Sequence, residues 1–218
     1  MTKFLPVVET FHSLQGEGFH SGKSAFFIRL AGCTVGCSWC DTKQSWNSKN
    51  YPLKSIEELS VEIEKAKENG ASFLVITGGE PLHHNLELFC KKIKQTNKSV
   101  AIHLETSGVN ALSGAYDWIT LSPKRHSPPK NDLLKVCNEV KIIINDEEDI
   151  IFAKKIKNKI FEITNQMKNN EFNKLSKKNY FIQPSWDNKN GFAIAMEFAK
   201  THPDWSLSLQ IHKYLNIK

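Results

Sequence analysis

The chain has 218 residues, 40% hydrophobic and 24% charged, which suits one globular core and is hardly enough for two. Its net charge of +6 and pI near 9.0 invite a nucleic-acid reading, but the excess is nearly all scattered lysine, with arginine only at Arg29 and Arg125. No apolar run approaches the ~20 residues of a membrane span, and the first residues lack a signal-peptide core, so a cytoplasmic protein without nucleic-acid or membrane partners is expected.

Residues 5–11 and 25–30 read as early strands. Residues 56–69 read as a helix, with Ser55 as its cap and Glu58 at the capping-box position. A short apolar strand over 73–77 runs into TGGEP, followed by a helix over 86–95 and a strand over 100–106. Strands over 118–121 and 140–144, a helix over 147–157, a strand over 180–183, a helix over 192–200 and a strand over 206–209 complete the series. The polar stretch 158–179, rich in lysine and asparagine, reads as a surface excursion. Alternation of this kind predicts right-handed βαβ crossovers and a mostly parallel sheet. A chain of 218 residues is short for a closed eightfold barrel of ~250 residues. The expected fold is therefore α/β, an incomplete TIM-like barrel formed by a single domain over residues 1–218.

Three of the five cysteines fall within AGCTVGCSWCDT, as Cys33, Cys37 and Cys40. Cys90 and Cys137 are isolated in amphipathic segments and read as small packed hydrophobes. Three close thiolates can hold three irons of a [4Fe–4S] cluster and leave the fourth iron open. A zinc site would need four ligands, usually at paired spacings, and would have to recruit His12 or His20. An iron–sulfur electron carrier would favour a fourth cysteine. Beyond this motif, Thr77-Gly78-Gly79-Glu80-Pro81, Glu105-Thr106-Ser107-Gly108 and Ser122-Pro123-Lys124 stand at successive strand ends, where parallel sheets bind ligands.

The C-x3-C-x2-C spacing with Trp39 before the last cysteine resembles the signature of the radical S-adenosylmethionine superfamily. Within it, SLQGEG, FIRLAGC, CSWCDT, TGGEP, ETSG, SPK, NEVKIII, IQPS and the terminal LSLQIHKYLNIK resemble the 7-carboxy-7-deazaguanine synthase family nearly end to end. A glycyl-radical enzyme activase is the alternative within the superfamily, and LQGEG, CDT and HKYL argue against it.

The resemblance implies conversion of 6-carboxy-5,6,7,8-tetrahydropterin to 7-carboxy-7-deazaguanine with loss of ammonia, by a radical carbon–nitrogen lyase of queuosine precursor synthesis. Leu14, Gln15, Gly16, Thr77 and the terminal carboxylate of Lys218 would contact substrate, and Arg29 would clamp a carboxylate bidentately. Family members often end in proline where this chain has Lys218. Glu17, Arg29 and His212 are the implied catalytic residues. Ser38, Trp39, Gly79, Glu80, Ser107, Ser122, Pro123, Lys124, Gln183 and Pro184 would hold S-adenosylmethionine. Thr42 would bind Mg2+, with Asp41 as its supporting neighbour. Flavodoxin or ferredoxin as reductant and a homodimer are likewise implied. Read from the residues alone, Arg29 could instead be an ion-pair partner, His212 a core histidine and Thr42 a turn cap.

Overall fold

Several strands carry continuous apolar runs, such as Phe73–Ile76 and Ile142–Ile144, and successive positions along them face opposite sides of the sheet. The computed structural model describes residues 3–168 and 178–218. In chain order the elements are β1 (Phe4–Leu14), β2 (Ser24–Leu30), β3 (Leu53–Ser55), α1 (Ile56–Glu68), β4 (Phe73–Gly78), α2 (Glu87–Thr96), β5 (Ala101–Thr106) and β6 (Trp118–Leu121). They continue with α3 (Asn131–Val136), β7 (Glu139–Ile144), α4 (Glu147–Lys168), β8 (Asn179–Pro184), α5 (Lys189–Thr201), β9 (Ser206–Leu207) and α6 (Ile211–Leu215).

All nine strands share one sheet, in the order β3-β1-β2-β4-β5-β6-β7-β8-β9. From β2 to β9 each neighbouring pair is parallel, while β1 runs antiparallel to both β2 and β3. The outermost strands, β3 and β9, do not pair with each other, so the barrel stays open. The expected partial barrel is therefore present, and among the described residues its strands number nine, one more than the eight read along the sequence. The three residues of β3 are too few to show a period, which is why that strand escapes a sequence reading.

The helix-facing side carries the main core. Ile28 and Leu30 of β2, Leu74 and Ile76 of β4, Ile102 and Leu104 of β5, and Val140 and Ile142 of β7 are each at most 1% exposed. They pack in one cluster with Leu59 and Ile63 of α1 and Phe89 and Ile93 of α2. The start of α1 follows its sequence signal, since Ser55 accepts from the Glu58 N–H and the Glu58 carboxylate accepts from the Ser55 N–H. Leu104, on the central strand β5 and fully buried, offers a direct measure of this core. Leu104→Ala is expected to destabilise the fold by about 2–5 kcal/mol, read as a lower denaturant midpoint with unchanged slope.

One expected boundary is corrected. The helix expected over 147–157 continues to Lys168, so residues 158–168 are helical rather than a loop excursion. Ile156 and Ile160 lie four apart and are 4% and 2% exposed, with Ile163 packed beside them. That apolar stripe was hidden by the polar composition around it. Residues 169–177, the rest of the expected excursion apart from Lys178 and Asn179, lie outside the described residues. Asn179 begins β8. The short α3 and α6 were not anticipated either. Among the described residues no helix is long and apolar enough to cross a membrane.

Candidate active site

The opposite parity of each strand faces a cavity of about 460 Å3, within the range usual for small-molecule sites. Phe27 and Arg29 reach it from β2, Thr77 from β4, Glu105 from β5, Thr120 from β6, Lys141 and Ile143 from β7, and Gln183 from β8. Burying so many polar groups requires partners for them, which neighbouring strands and the loops above them supply.

The cysteine loop leaves β2 and interlocks with the turn after β4. The Gly79 N–H donates to the Leu30 carbonyl at 2.9 Å and the Glu80 N–H to the Gly32 carbonyl at 2.8 Å. A Cβ on Gly79 would stand 2.5 Å from the Gly32 oxygen and 3.0 Å from the Cys33 Cβ, so the two backbones approach as only glycine allows. Cys33, Cys37 and Cys40 are free thiols, and all three line the cavity. Burial raises the Cys33 and Cys37 thiols above their ordinary range, so it takes a bound metal to keep them as thiolates. The Val35 N–H points at Cys33 Sγ at 3.4 Å, and His126 Nε2 lies 3.8 Å from Cys37 Sγ. Among the described residues no three His, Cys, Asp or Glu side chains gather as a set that could hold one metal ion. A cluster makes no such demand, because each thiolate binds its own iron. The free thiols, the donated N–H and the glycine-built cradle fit a [4Fe–4S] cluster.

Thr42 Oγ1 sits 3.6 Å from Cys40 Sγ and faces the cavity. It does not cap the 3-10 turn that follows; the Thr42 carbonyl holds that turn instead, accepting from the Ser45 N–H and hydroxyl. The turn-cap reading of the hydroxyl is thereby removed. Asp41 Oδ2 accepts from Lys213 Nζ at 2.8 Å, which ties the cysteine loop to α6. Trp39 lines the cavity and meets His126 edge-on at 5.6 Å.

Glu80 is 1% exposed at the cavity wall. Its Oε1 accepts from Thr106 Oγ1 at 2.6 Å and the Leu82 N–H at 3.0 Å, and its Oε2 accepts from the Ser107 N–H at 2.8 Å and the Ser107 hydroxyl. Glu80 thus draws the ends of β4 and β5 together. Lys124 donates to the Ser122 carbonyl and hydroxyl at 2.9 and 2.7 Å, and burial lowers its ammonium pKa. Gln183, 1% exposed, accepts from Ser208 at 2.7 Å, and Ser208 accepts from the Gly18 N–H at 3.0 Å. Gly79, Ser107, Ser122, Lys124 and Gln183 therefore share the cavity with the cysteines. Ser38 and Pro123 do not line it, and Pro184 lines a smaller neighbouring cavity.

On the far side stand Leu14, Gln15, Gly16 and Glu17. Gly16 lies against the His212 ring, where a Cβ would meet Nδ1 at 2.2 Å, and its carbonyl accepts from the Ile211 N–H at 2.9 Å. This contact seats α6 and brings His212 into the wall, so His212 is not a core residue. Burial lowers the His212 pKa, with Glu17 opposing. Arg29 uses its Nε on Glu9 at 3.1 Å and lies over the Phe11 ring at 5.9 Å. Lys218 also binds Glu9, at 2.8 Å, while its backbone oxygen accepts from Ser13 at 2.6 Å. Thr77 donates to Glu105 at 2.8 Å, and Gln15 donates to the other oxygen of Glu105 at 3.0 Å.

Lys141 was missed by sequence reasoning as a site residue. It pairs with Glu17 at the cavity wall. The only sequence signal was a lysine inside an otherwise apolar strand, Val140–Lys141–Ile142. Lys213, Gln210 and Trp46 also line the cavity and carried no distinguishing signal.

Residues 27–142 match the profile of the radical SAM superfamily. Over its full length the chain is 50% identical to 7-carboxy-7-deazaguanine synthase from Prochlorococcus marinus, covering all of that protein. It is 41% identical to the enzyme of the same name from Synechocystis sp., covering 100% of this chain and 96% of that one. A crystal structure of QueE from Escherichia coli superposes with a TM-score of 0.74 at 28% identity, covering 96% of this chain and 95% of that one.

Proposed function

Because the chain belongs to the radical S-adenosylmethionine superfamily and, within it, to the 7-carboxy-7-deazaguanine synthases, we propose how its own residues carry out that reaction. The enzyme is a lyase that converts 6-carboxy-5,6,7,8-tetrahydropterin to 7-carboxy-7-deazaguanine with release of ammonia, on the route to queuosine. When bound, the reduced [4Fe–4S] cluster and S-adenosylmethionine supply the hydrogen-abstracting radical. The observation that carries the reading is that the three free thiols line one cavity with Arg29, Glu17 and Glu105.

Cys33, Cys37 and Cys40 hold the cluster. Gly79, Ser107, Ser122, Lys124 and Gln183 bind S-adenosylmethionine, and Trp39 walls it. Glu80 keeps the β4 and β5 ends in place and adds negative charge near the cofactor's ammonium. Arg29 receives the substrate carboxylate on its terminal nitrogens, since Glu9 already occupies Nε. Gln15, Glu17 and the backbone around Gly16 read the pterin edge, Thr77 and Glu105 line its other side, and His212 closes over it. The Lys218 oxygen, held by Ser13, completes that wall.

Mg2+ at Thr42 would orient the substrate carboxylate with one protein oxygen, and Asp41 would support it. Thr42→Ala is then expected to raise the magnesium concentration for half-maximal activity by roughly tenfold or more, with cluster content unchanged. An unchanged magnesium curve removes Thr42 from the metal site. Flavodoxin or ferredoxin as reductant, a homodimer and a cytoplasmic location complete the proposal.

The deciding experiment reconstitutes the cluster without oxygen and supplies S-adenosylmethionine, dithionite, magnesium and the carboxytetrahydropterin. Formation of 7-carboxy-7-deazaguanine is expected. An intact, reducible cluster that yields none overturns the substrate reading.

A further inference from the structure

Lys141 has no part in the assignments above, yet its place is unusual. It stands on β7 with its side chain 6% exposed, reaches the cavity wall and forms an ion pair with Glu17, whose side chain is 16% exposed. A lysine is rarely buried this deeply without a specific anionic partner. The loop that carries Glu17 is secured independently of this pair. Gly16 is held by α6, the Gly18 N–H donates to Ser208, and the Phe19 N–H donates to Glu139 at 3.1 Å. Removing the lysine therefore leaves the loop backbone its anchors and takes the partner from one side chain, Glu17.

We propose that Lys141 is the positioning residue of the substrate-reading loop: its ammonium fixes the Glu17 carboxylate as an acceptor for the N–H donors of the pterin's aminopyrimidinone edge. This rests on the pterin reading above and names what enforces it. An ionised carboxylate offers only acceptors, which matches paired N–H donors, whereas a protonated one replaces an acceptor with a donor. Burial by itself pushes the Glu17 carboxyl up; Lys141 foremost, with lesser help from His212 and a Gln210 hydrogen bond, more than reverses this and brings it down to about 2. The other charged groups around the pair are Glu105 from β5, Glu139 from β7, His212 from α6 and Lys124 from the segment after β6. Burial raises Glu139 to about 7, so this neighbour is partly neutral near physiological pH.

The sign of the effect follows. With Lys141 present, Glu17 is ionised throughout the working range, and recognition of the edge does not depend on its titration. Without Lys141 the Glu17 carboxyl rises, and the accepting form is lost as pH falls through the raised value. The probe is 6-carboxypterin, an unreactive analogue that keeps the edge and the carboxylate, titrated into reconstituted holoenzyme carrying S-adenosylmethionine.

Wild type is expected to bind it with affinity nearly independent of pH. Lys141→Met is expected to bind roughly tenfold more weakly at about pH 5.5 than at about pH 7, where the probe keeps its N–H donors, with S-adenosylmethionine affinity unchanged. The Lys141→Met/Glu17→Gln double variant, which leaves no unpaired Glu17 charge, should return a flat profile. A flat profile in Lys141→Met overturns the proposal and leaves the pterin reading intact. A slope that persists in the double variant assigns the effect to a group other than Glu17 and also overturns it. Failure of wild type to bind the probe overturns both.

Discussion

Cys37→Ala protein is expected to take up little iron and sulfide on reconstitution and to form no 7-carboxy-7-deazaguanine. Cys37 is 8% exposed and faces the cavity between two other thiols, and no further cysteine can replace it. Cys90 and Cys137 are each 1% exposed within the helix-side core. His126 Nε2 lies 3.8 Å from Cys37 Sγ, but it also faces the Val35 carbonyl at 3.0 Å, so it is oriented by the loop rather than presented as a ligand. Iron and sulfide analysis with the cluster absorbance measures the loss directly. Cys90→Ala and Cys137→Ala should keep both cluster and activity. A fully loaded, active Cys37→Ala enzyme would refute the cluster assignment.

Arg29→Lys tests the substrate side with the charge retained. The guanidinium is held by Glu9 through Nε and lies over Phe11, which sets its terminal nitrogens as a planar fork. Lysine keeps the charge but offers a point donor on a flexible stem. Loss of a charge-assisted bidentate pair costs about 1.5–3 kcal/mol, which corresponds to a roughly 10–150-fold rise in KM for the carboxytetrahydropterin. Affinity for S-adenosylmethionine should not move. An unchanged KM would leave Arg29 as an ion-pair partner of Glu9 and nothing more.

Much of this site was legible because its motifs are local. The three cysteines, the GGEP turn, Glu105 and the Ser122–Lys124 hydroxyl and amine each lie beside a strand end, and strand ends of a parallel sheet converge. Glu80 was located in the same way and Thr42 through the family resemblance, although their hydrogen bonds were not. Glu80 proved to be engaged by Thr106 and Ser107, and Thr42 proved not to cap its turn. Ser38, Pro123 and Pro184 sit next to wall residues in sequence but not on the cavity wall, since adjacent positions in an extended loop or strand point in different directions.

By itself the sequence determined the cluster motif and the alternation of strands and helices. These depend on spacings of two to four residues, which backbone geometry sets locally. Only the tertiary structure decided the partners: Gln15 with Glu105, 90 positions apart, Lys141 with Glu17 at 124, Lys213 with Asp41 at 172, and Ser13 with Lys218 at 205. Such pairs require the register of several parallel strands to be fixed at once, and a slip of one residue would turn Lys141 into the helix-side core. The physical cause lies in the packing of Ile102, Leu104, Val140 and Ile142 against the helices, which locks that register and so aims the charges on the other face.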